Sequence, residues 1–196
     1  KELQPKVVVA ENVKGLLQGD AKEYVRNIYR AFDEAGYYCQ HWLLDASKIG
    51  VPQRRERVFF VCLRKDIAEP FLCQKDMFTL LPKLELNFNE KEIPYKEIRQ
   101  ENGNENAIGL SPKIKEYWLL CEAGNSFSSV HPKGSYFNEI KTHPEKVLPT
   151  IRANGLPYDY EVQRTLFDDE CKKAGSYPMD YNFCRNKPVY LIGMSV

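Results

Sequence analysis

Two stretches of this chain carry side chains whose types and spacing suit joint chemistry. The first is Glu11, which directly follows the β-branched run Lys6-Val7-Val8-Val9-Ala10. A carboxylate at the C-terminal end of a buried strand stands where open α/β sheets place functional groups. There it could hold a proton or share one with a ring nitrogen. The second stretch is Val51-Pro52-Gln53-Arg54-Arg55-Glu56-Arg57-Val58. A strand period of two puts Gln53, Arg55 and Arg57 on one side and Arg54 and Glu56 on the other. Two guanidiniums then share a face. These planar forks stay charged at any working pH and suit phosphate oxygens or a base carbonyl. Taken alone, each pattern leaves an ordinary alternative open: a surface Glu at a strand end, and an exposed basic strand end paired with Glu56.

The elements that must position these groups can be read from hydrophobic periodicity. The run Lys6–Ala10 lacks alternation, the mark of a strand buried on both faces in a parallel sheet. Asp20 and Glu23 make a capping box. Val25, Ile28, Tyr29 and Phe32 then repeat at helical spacing until Gly36 closes the helix. Tyr37–Leu44 reads as extended, Asp45–Pro52 as a turn and Val58–Leu63 as a further strand, so residues 6–63 are α/β material. Glu85–Asn106 is acidic and aperiodic, a long loop or a boundary. Residues 111–147 read as a small, loop-rich module in which Lys113, Lys115, Trp118, His131, Lys133, Tyr136 and Lys141 are candidates for phosphates and base edges, with core as the commoner role of a Tyr-Trp pair such as Tyr117-Trp118. Asp168–Ala174 reads as a short helix capped by Gly175, and Pro178–Phe183 as a turn-rich aromatic stretch.

Composition narrows the class. The 196 residues, 43% hydrophobic and 28% charged, suffice for one domain with a core or one and a half small ones, which excludes disorder throughout. Apolar runs of about six residues fall far short of the roughly 20 needed to cross a bilayer, and no signal peptide is read. A net charge of +1 exerts no global pull on a polyanion. The basic groups are nonetheless concentrated at the start, with 12 basic and 8 acidic in residues 1–65 against 5 and 9 in residues 66–110. Six cysteines without a CxxC pair read as reduced, mostly buried thiols of a cytoplasmic protein, with no zinc spacing.

Glu11-Asn12-Val13, followed by Gln53-Arg54-Arg55-Glu56-Arg57, resembles the ENV and QxRxR motifs of the DNA (cytosine-5)-methyltransferases. Pro149-Thr150-Ile151 is similar to the Thr-Leu or Thr-Ile pair closing that family's target-recognition region. Arg164-Thr165-Leu166 to Glu170-Cys171 resembles its R-x-L-x-x-x-E-C helix start. Tyr177-Pro178-Met179-Asp180-Tyr181 and Ile192-Gly193-Met194-Ser195-Val196 resemble its Phe-Pro-Asp-Asp-Tyr and I-G-N-S-V segments, with Met194 for Asn, and Ser176 stands where Gly is common. The resemblance implies the C-terminal part of a Rossmann-like catalytic sheet (1–66), a small, irregular, mainly β target-recognition module (67–147) and a segment returning to the catalytic domain (148–196).

The resemblance also implies a function: base flipping and methyl transfer from S-adenosylmethionine to carbon 5 of cytosine in double-stranded DNA, as in restriction–modification. Glu11 would bind the N3 and amino edge of the base. Arg57 would donate to the carbonyl and orient Glu11, and Arg55 would serve the same pocket or a flanking phosphate. On the DNA side, Gln53 would support the loop, Thr150 would touch the backbone and Arg164 would brace the recognition module. Met194 and Ser195 would lie by the donor. The family's F-x-G-x-G donor loop is absent, and none of the cysteines follows a proline, the context of the family's nucleophile. The expectation is a chain inactive alone, completed by an N-terminal part in the same polypeptide or a second subunit, in the cytoplasm and at the nucleoid of a bacterium. A non-catalytic DNA-binding or regulatory homologue and an RNA cytosine methyltransferase are the alternatives.

Overall fold

Glu11 rides on β1 (Val7–Val13), which a computed structural model of the chain pairs with β3 (Glu56–Arg64). The structure describes residues 3–74, 76–78, 80–82, 84–101 and 109–195. The chain packs as two units. One comprises Lys1–Asp45 and Glu56–Phe88, the other Ala46–Arg55 and Asn89–Ser195.

The first unit is built on a three-stranded sheet in the order β1-β3-β2, with β2 spanning Tyr37–Asp45. Both outer strands run antiparallel to β3, which corrects the expected parallel pairing. The reason lies in the short connection from Asp45 to Glu56, since a parallel return needs a crossover of a dozen or more residues. β3 instead folds back and inserts between β1 and β2. Those two strands therefore share a direction and are joined by α1 (Lys22–Glu34). Nor is β1 buried on both faces, because Val7, Val9 and Val13 are exposed.

The helical stripe behaves as its spacing demands. Val25, Ile28, Tyr29 and Phe32 pack on Tyr37, Cys39, Val58, Phe60 and Cys62. The capping box does not form. Asp20 lies in a 3-10 turn, Gly19–Ala21, so the chain already turns before the helix starts, and Ala21 takes the N-cap with no side-chain bond. A cap needs an extended backbone at its own position. Beyond β3 the unit continues through α2 (Lys65–Ala68) and an antiparallel hairpin of β4 (Leu72–Gln74) and β5 (Leu80–Pro82).

The second unit holds α3 (Pro112–Leu120), α4 (Asp168–Ala174) and α5 (Pro188–Met194). Its β structure among the described residues is limited to isolated bridges, such as Gln53 to Leu148 and Tyr158 to Thr165. Leu148, Ile151, Leu166, Cys171 and Ile192 form its core with Tyr95 and Ile98. The last two come from the stretch read as a long loop; its Asn102-Gly103-Asn104 segment lies outside the described residues. Trp118, a candidate for base edges, is instead core, the commoner role of such a pair, and its indole N–H donates to the Asp159 carbonyl at 2.7 Å.

Lys141 is not available to phosphates. It is buried, its ammonium donates to the carbonyls of Trp118 and Cys121, and burial pulls its pKa down. The cysteines are all free. Cys39, Cys62, Cys121 and Cys171 are buried, while Cys73 and Cys184 are exposed.

Two backbone positions explain motif residues. Ser176 has φ +56°, the left-handed region that only glycine enters without cost, which accounts for Gly being common there. Gly193 lies where α5 meets the 152–155 turn, and a Cβ on it would stand 2.1 Å from the Ala153 nitrogen and 2.4 Å from the Arg152 carbonyl carbon. Backbone cannot move aside as a flexible side chain can. Gly193→Ala should therefore cost at least about 1–3 kcal/mol, the range for overpacking. Urea unfolding at neutral pH checks this, and a midpoint equal to wild type would refute it.

Candidate active site

Antiparallel register places Glu11 opposite Phe59 and Val13 opposite Arg57, so Glu11 and Arg57 are diagonal neighbours on one face of the sheet. The Arg57 Nε stands 2.9 Å from Glu11 Oε1 in an ion pair, with side-chain exposures of 18% and 26%. Arg57 Nη1 also donates to the Glu56 carbonyl at 2.9 Å, which fixes the plane of the fork. A half-buried carboxylate held in orientation by a guanidinium can bind the edge of a base through two adjacent positions.

Gln53, Arg55 and Thr150 come together in the second unit. Gln53 is 2% exposed; its Oε1 accepts from the Ile151 N–H at 2.9 Å and its Nε2 donates to the Ala174 carbonyl at 3.2 Å. Arg55, 6% exposed, donates to the carbonyls of Ile151 at 3.3 Å and Gly193 at 3.0 Å, and also to that of Ser195. The Thr150 hydroxyl donates to the Arg54 carbonyl at 2.7 Å, and the Arg54 N–H to the Leu148 carbonyl at 2.8 Å. Three successive residues, 53 to 55, thus grip the Leu148–Ile151 segment. The guanidinium of Arg55 is committed to its own chain's carbonyls, where arginine's rigid fork makes a strut.

Arg164 is likewise buried. It donates to Glu170 at 2.8 and 2.9 Å, to Asp159 at 3.2 Å and to two carbonyls, and its guanidinium stacks 3.9 Å over the Phe167 ring. Asp159 and Glu170 are fully buried, and each also accepts from the Tyr95 hydroxyl. Arg99 donates to Asp159 at 2.8 Å. Burial pushes the Asp159 carboxyl up, but the Arg99 hydrogen bond, the N–H groups of Val162 and Glu161 and the Tyr95 hydroxyl together hold it below its usual value. Glu170 at the third position of α4 accepts the Phe167 N–H at 2.7 Å, one half of a capping box. Arg164 therefore braces the unit from inside. Sequence reasoning missed Asp159 and Tyr95, since neither sits in a pattern pointing to Arg164.

Met194 is 64% exposed, and the Ser195 hydroxyl donates to the Ile192 carbonyl at 2.8 Å. One side chain is apolar and the other bonds its own helix end. Among the described residues no three His, Cys, Asp or Glu side chains could hold a metal ion, and no helix is long and apolar enough to cross a membrane.

Comparison with known proteins bears on this geometry. The chain is 51% identical to the type II methyltransferase M.FnuDI of Fusobacterium nucleatum over 216 residues, covering 92% of this chain and 63% of that protein. It is 29% identical to M.NgoFVII of Neisseria gonorrhoeae, covering 92% and 51% respectively. It thus spans between half and two thirds of these relatives' length. Among solved structures, a DNA modification methyltransferase encoded within an E. coli prophage superposes with a TM-score of 0.65 at 17% identity, covering 100% of this chain and 66% of that one. A DNMT2 mutant of Spodoptera frugiperda gives 0.61 at 18%, covering 97% and 62%. These likenesses show the Rossmann-like methyltransferase fold. The match of residues 1–196 to one family description extends the motif resemblance to the whole sequence: the chain belongs to the C-5 cytosine-specific DNA methylases.

Proposed function

We propose that this chain is the base-binding and recognition portion of a DNA (cytosine-5)-methyltransferase working in the cytoplasm on double-stranded DNA. The observation that carries the reading is the Glu11–Arg57 pair, two motif residues brought to 2.9 Å on one sheet face in a chain of this family. The family's methyl donor is S-adenosylmethionine, which supplies an electrophilic methyl group when bound. The chain's own residues act on the base. Glu11 receives the N3 and amino edge of the flipped cytosine and shares a proton at N3, which drains charge from the ring and opens carbon 6 to a nucleophile. Arg57 donates to the base carbonyl while holding Glu11 in plane. Arg55 and Gln53 position the Thr150–Ile151 segment and stay out of the chemistry. The thiolate and the donor loop come from a further part of the enzyme, in the same polypeptide or a second subunit.

The test is to incubate the full enzyme with duplex DNA and tritium-labelled donor, digest the product to nucleosides and separate them. Label in 5-methylcytosine is expected. Label in an N-methylated base, or in RNA alone when both substrates compete, would overturn the reading. So would no label with any nucleic acid, the result a non-catalytic homologue would give.

A further inference from the structure

The buried face of the first unit's sheet holds two thiols that the Glu11–Arg57 pair does not use. Cys39 on β2 stands directly opposite Cys62 on β3 in the antiparallel ladder. Both belong to the core that α1 covers, and they are 6% and 0% exposed. The Cys62 thiol donates to the Cys39 sulfur at 3.1 Å. Opposite residues of an antiparallel pair have Cα atoms about 4.5–5.5 Å apart, inside the span of about 4.4–6.8 Å that a disulfide bridges. A bond between these sulfurs therefore asks for side-chain rotation and no backbone movement. The other cysteines are placed differently. Cys73 and Cys184 are exposed, and the buried Cys121 thiol bonds to the carbonyls of Glu122, Asn125 and Ser126.

The two sulfurs are not equivalent. The hydrogen bond from Cys62 favours the thiolate of Cys39 and holds that thiol below its ordinary value, against the opposing cost of burial. The same bond, and burial with it, pushes Cys62 up. Cys39 is thus the better nucleophile, and a protonated second thiol lies in contact with it. Cys39 also sits on β2, an outer strand of the sheet, where local opening is easier than at the central β3. Hydrogen peroxide is neutral and close to water in size, so a brief opening admits it.

We propose that Cys39 and Cys62 form a reversible redox pair, which a hydroperoxide oxidises to a disulfide tying β2 to β3. The Cys39 sulfur attacks one peroxide oxygen. The O–O bond breaks, the leaving hydroxide takes up a proton and departs as water, and Cys39 becomes a sulfenic acid. The Cys62 sulfur then attacks the Cys39 sulfur and gives up its proton, and the sulfenic oxygen leaves as a second water. The two sulfurs together lose two electrons and the peroxide gains them. A dithiol reverses the change by exchange. The bridge closes the stretch Gln40–Val61, which includes Arg57. It lies on the α1 face, whereas Arg57, an odd number of residues from Cys62, is on the opposite face with Glu11. The strands are therefore tied without contact to the Glu11–Arg57 pair, and the proposal is independent of the DNA reading.

The test is to treat the native full enzyme with hydrogen peroxide, block the remaining thiols with iodoacetamide under denaturing conditions, and digest with trypsin without reductant. Cleavage after Lys48 and Arg57 puts the two cysteines on different peptides. Mass spectrometry should find these peptides joined, two hydrogens lighter than their sum, and dithiothreitol should restore both thiols. Hydrogen exchange in peptides covering β2 and β3 should be severalfold slower in the oxidised enzyme than in the reduced one. Cys62→Ser, which lacks the resolving thiol, should accumulate a dimedone adduct on Cys39. Recovery of Cys39 and Cys62 as free thiols, at a peroxide dose that oxidises the exposed Cys73 and Cys184, would overturn the pair. That result needs only wild type, so it decides the matter even if the serine variant fails to fold. A bridge that left the exchange of both strands unchanged would overturn the tie between them, and a folded Cys62→Ser enzyme without the adduct would overturn the role given to Cys39. Methyl transfer enters none of these measurements, so their failure leaves the DNA reading standing.

Discussion

Glu11→Gln should slow single-turnover methyl transfer by the full enzyme on the order of 10²–10⁴-fold, the usual contribution of a positioned acid–base group. DNA affinity should stay within a few-fold. The amide is isosteric, so it can still meet the base edge, but it cannot share a proton at N3 once the ring begins to carry charge. Arg57→Lys supplies the matching measurement. Lysine keeps the charge but has a single nitrogen, so it cannot both hold Glu11 Oε1 at the Nε position and reach the base carbonyl. It should lose about 2–3 kcal/mol of transition-state stabilisation, the worth of a hydrogen bond to a charged group. The loss should appear in kcat rather than in DNA binding. Tenfold weaker binding with an unchanged single-turnover rate in Glu11→Gln would make Glu11 a positioning residue and sink the mechanism.

Glu170→Ala should destabilise the folded chain by about 3–5 kcal/mol, because it strands the buried Arg164 guanidinium without its main partner. Asp159, Tyr95, the Phe167 N–H and the Gln100 N–H all meet at this cluster, so the loss removes several bonds at once. Replacing both charges, Arg164→Met with Glu170→Leu, should recover part of the loss, since the cost lies in the uncompensated charge rather than in the missing attraction. Urea unfolding of the three variants reads this directly. A loss below about 1 kcal/mol for Glu170→Ala would mean that water reaches the cluster and solvates it.

The pH dependence follows from Asp159. Its folded pKa lies below the ordinary carboxylate value, so the unfolded chain takes up the proton first as pH falls. The stabilisation is full above the unfolded value of about 3.9 and is lost as pH drops through the folded one. Compared with Asp159→Asn, wild type should hold a constant advantage at neutral pH that shrinks only below about pH 4.

Some of this was legible from residues alone. The stripe Val25, Ile28, Tyr29 and Phe32 had to face a core whatever the topology, because burying four large side chains outweighs local alternatives. Glu11 and Arg57, each near the end of its strand, met as their motifs suggest. Family membership is a property of the whole sequence, written in the order of its motifs.

What the tertiary structure decided was the partner of each polar side chain. A period of two put Gln53, Arg55 and Arg57 on one face, but the ladder begins only at Glu56, and the residues before it bond to segments near 150 and 193. Those contacts are long-range and leave no local pattern. The same holds for the direction of β3, set by the length of its connection, and for Lys141, whose burial depends on Trp118 and Cys121 arriving from another element. Apolar periodicity is written locally because water acts on every residue alike. The bonds that decide whether an arginine becomes a ligand or a strut are settled only when distant segments meet.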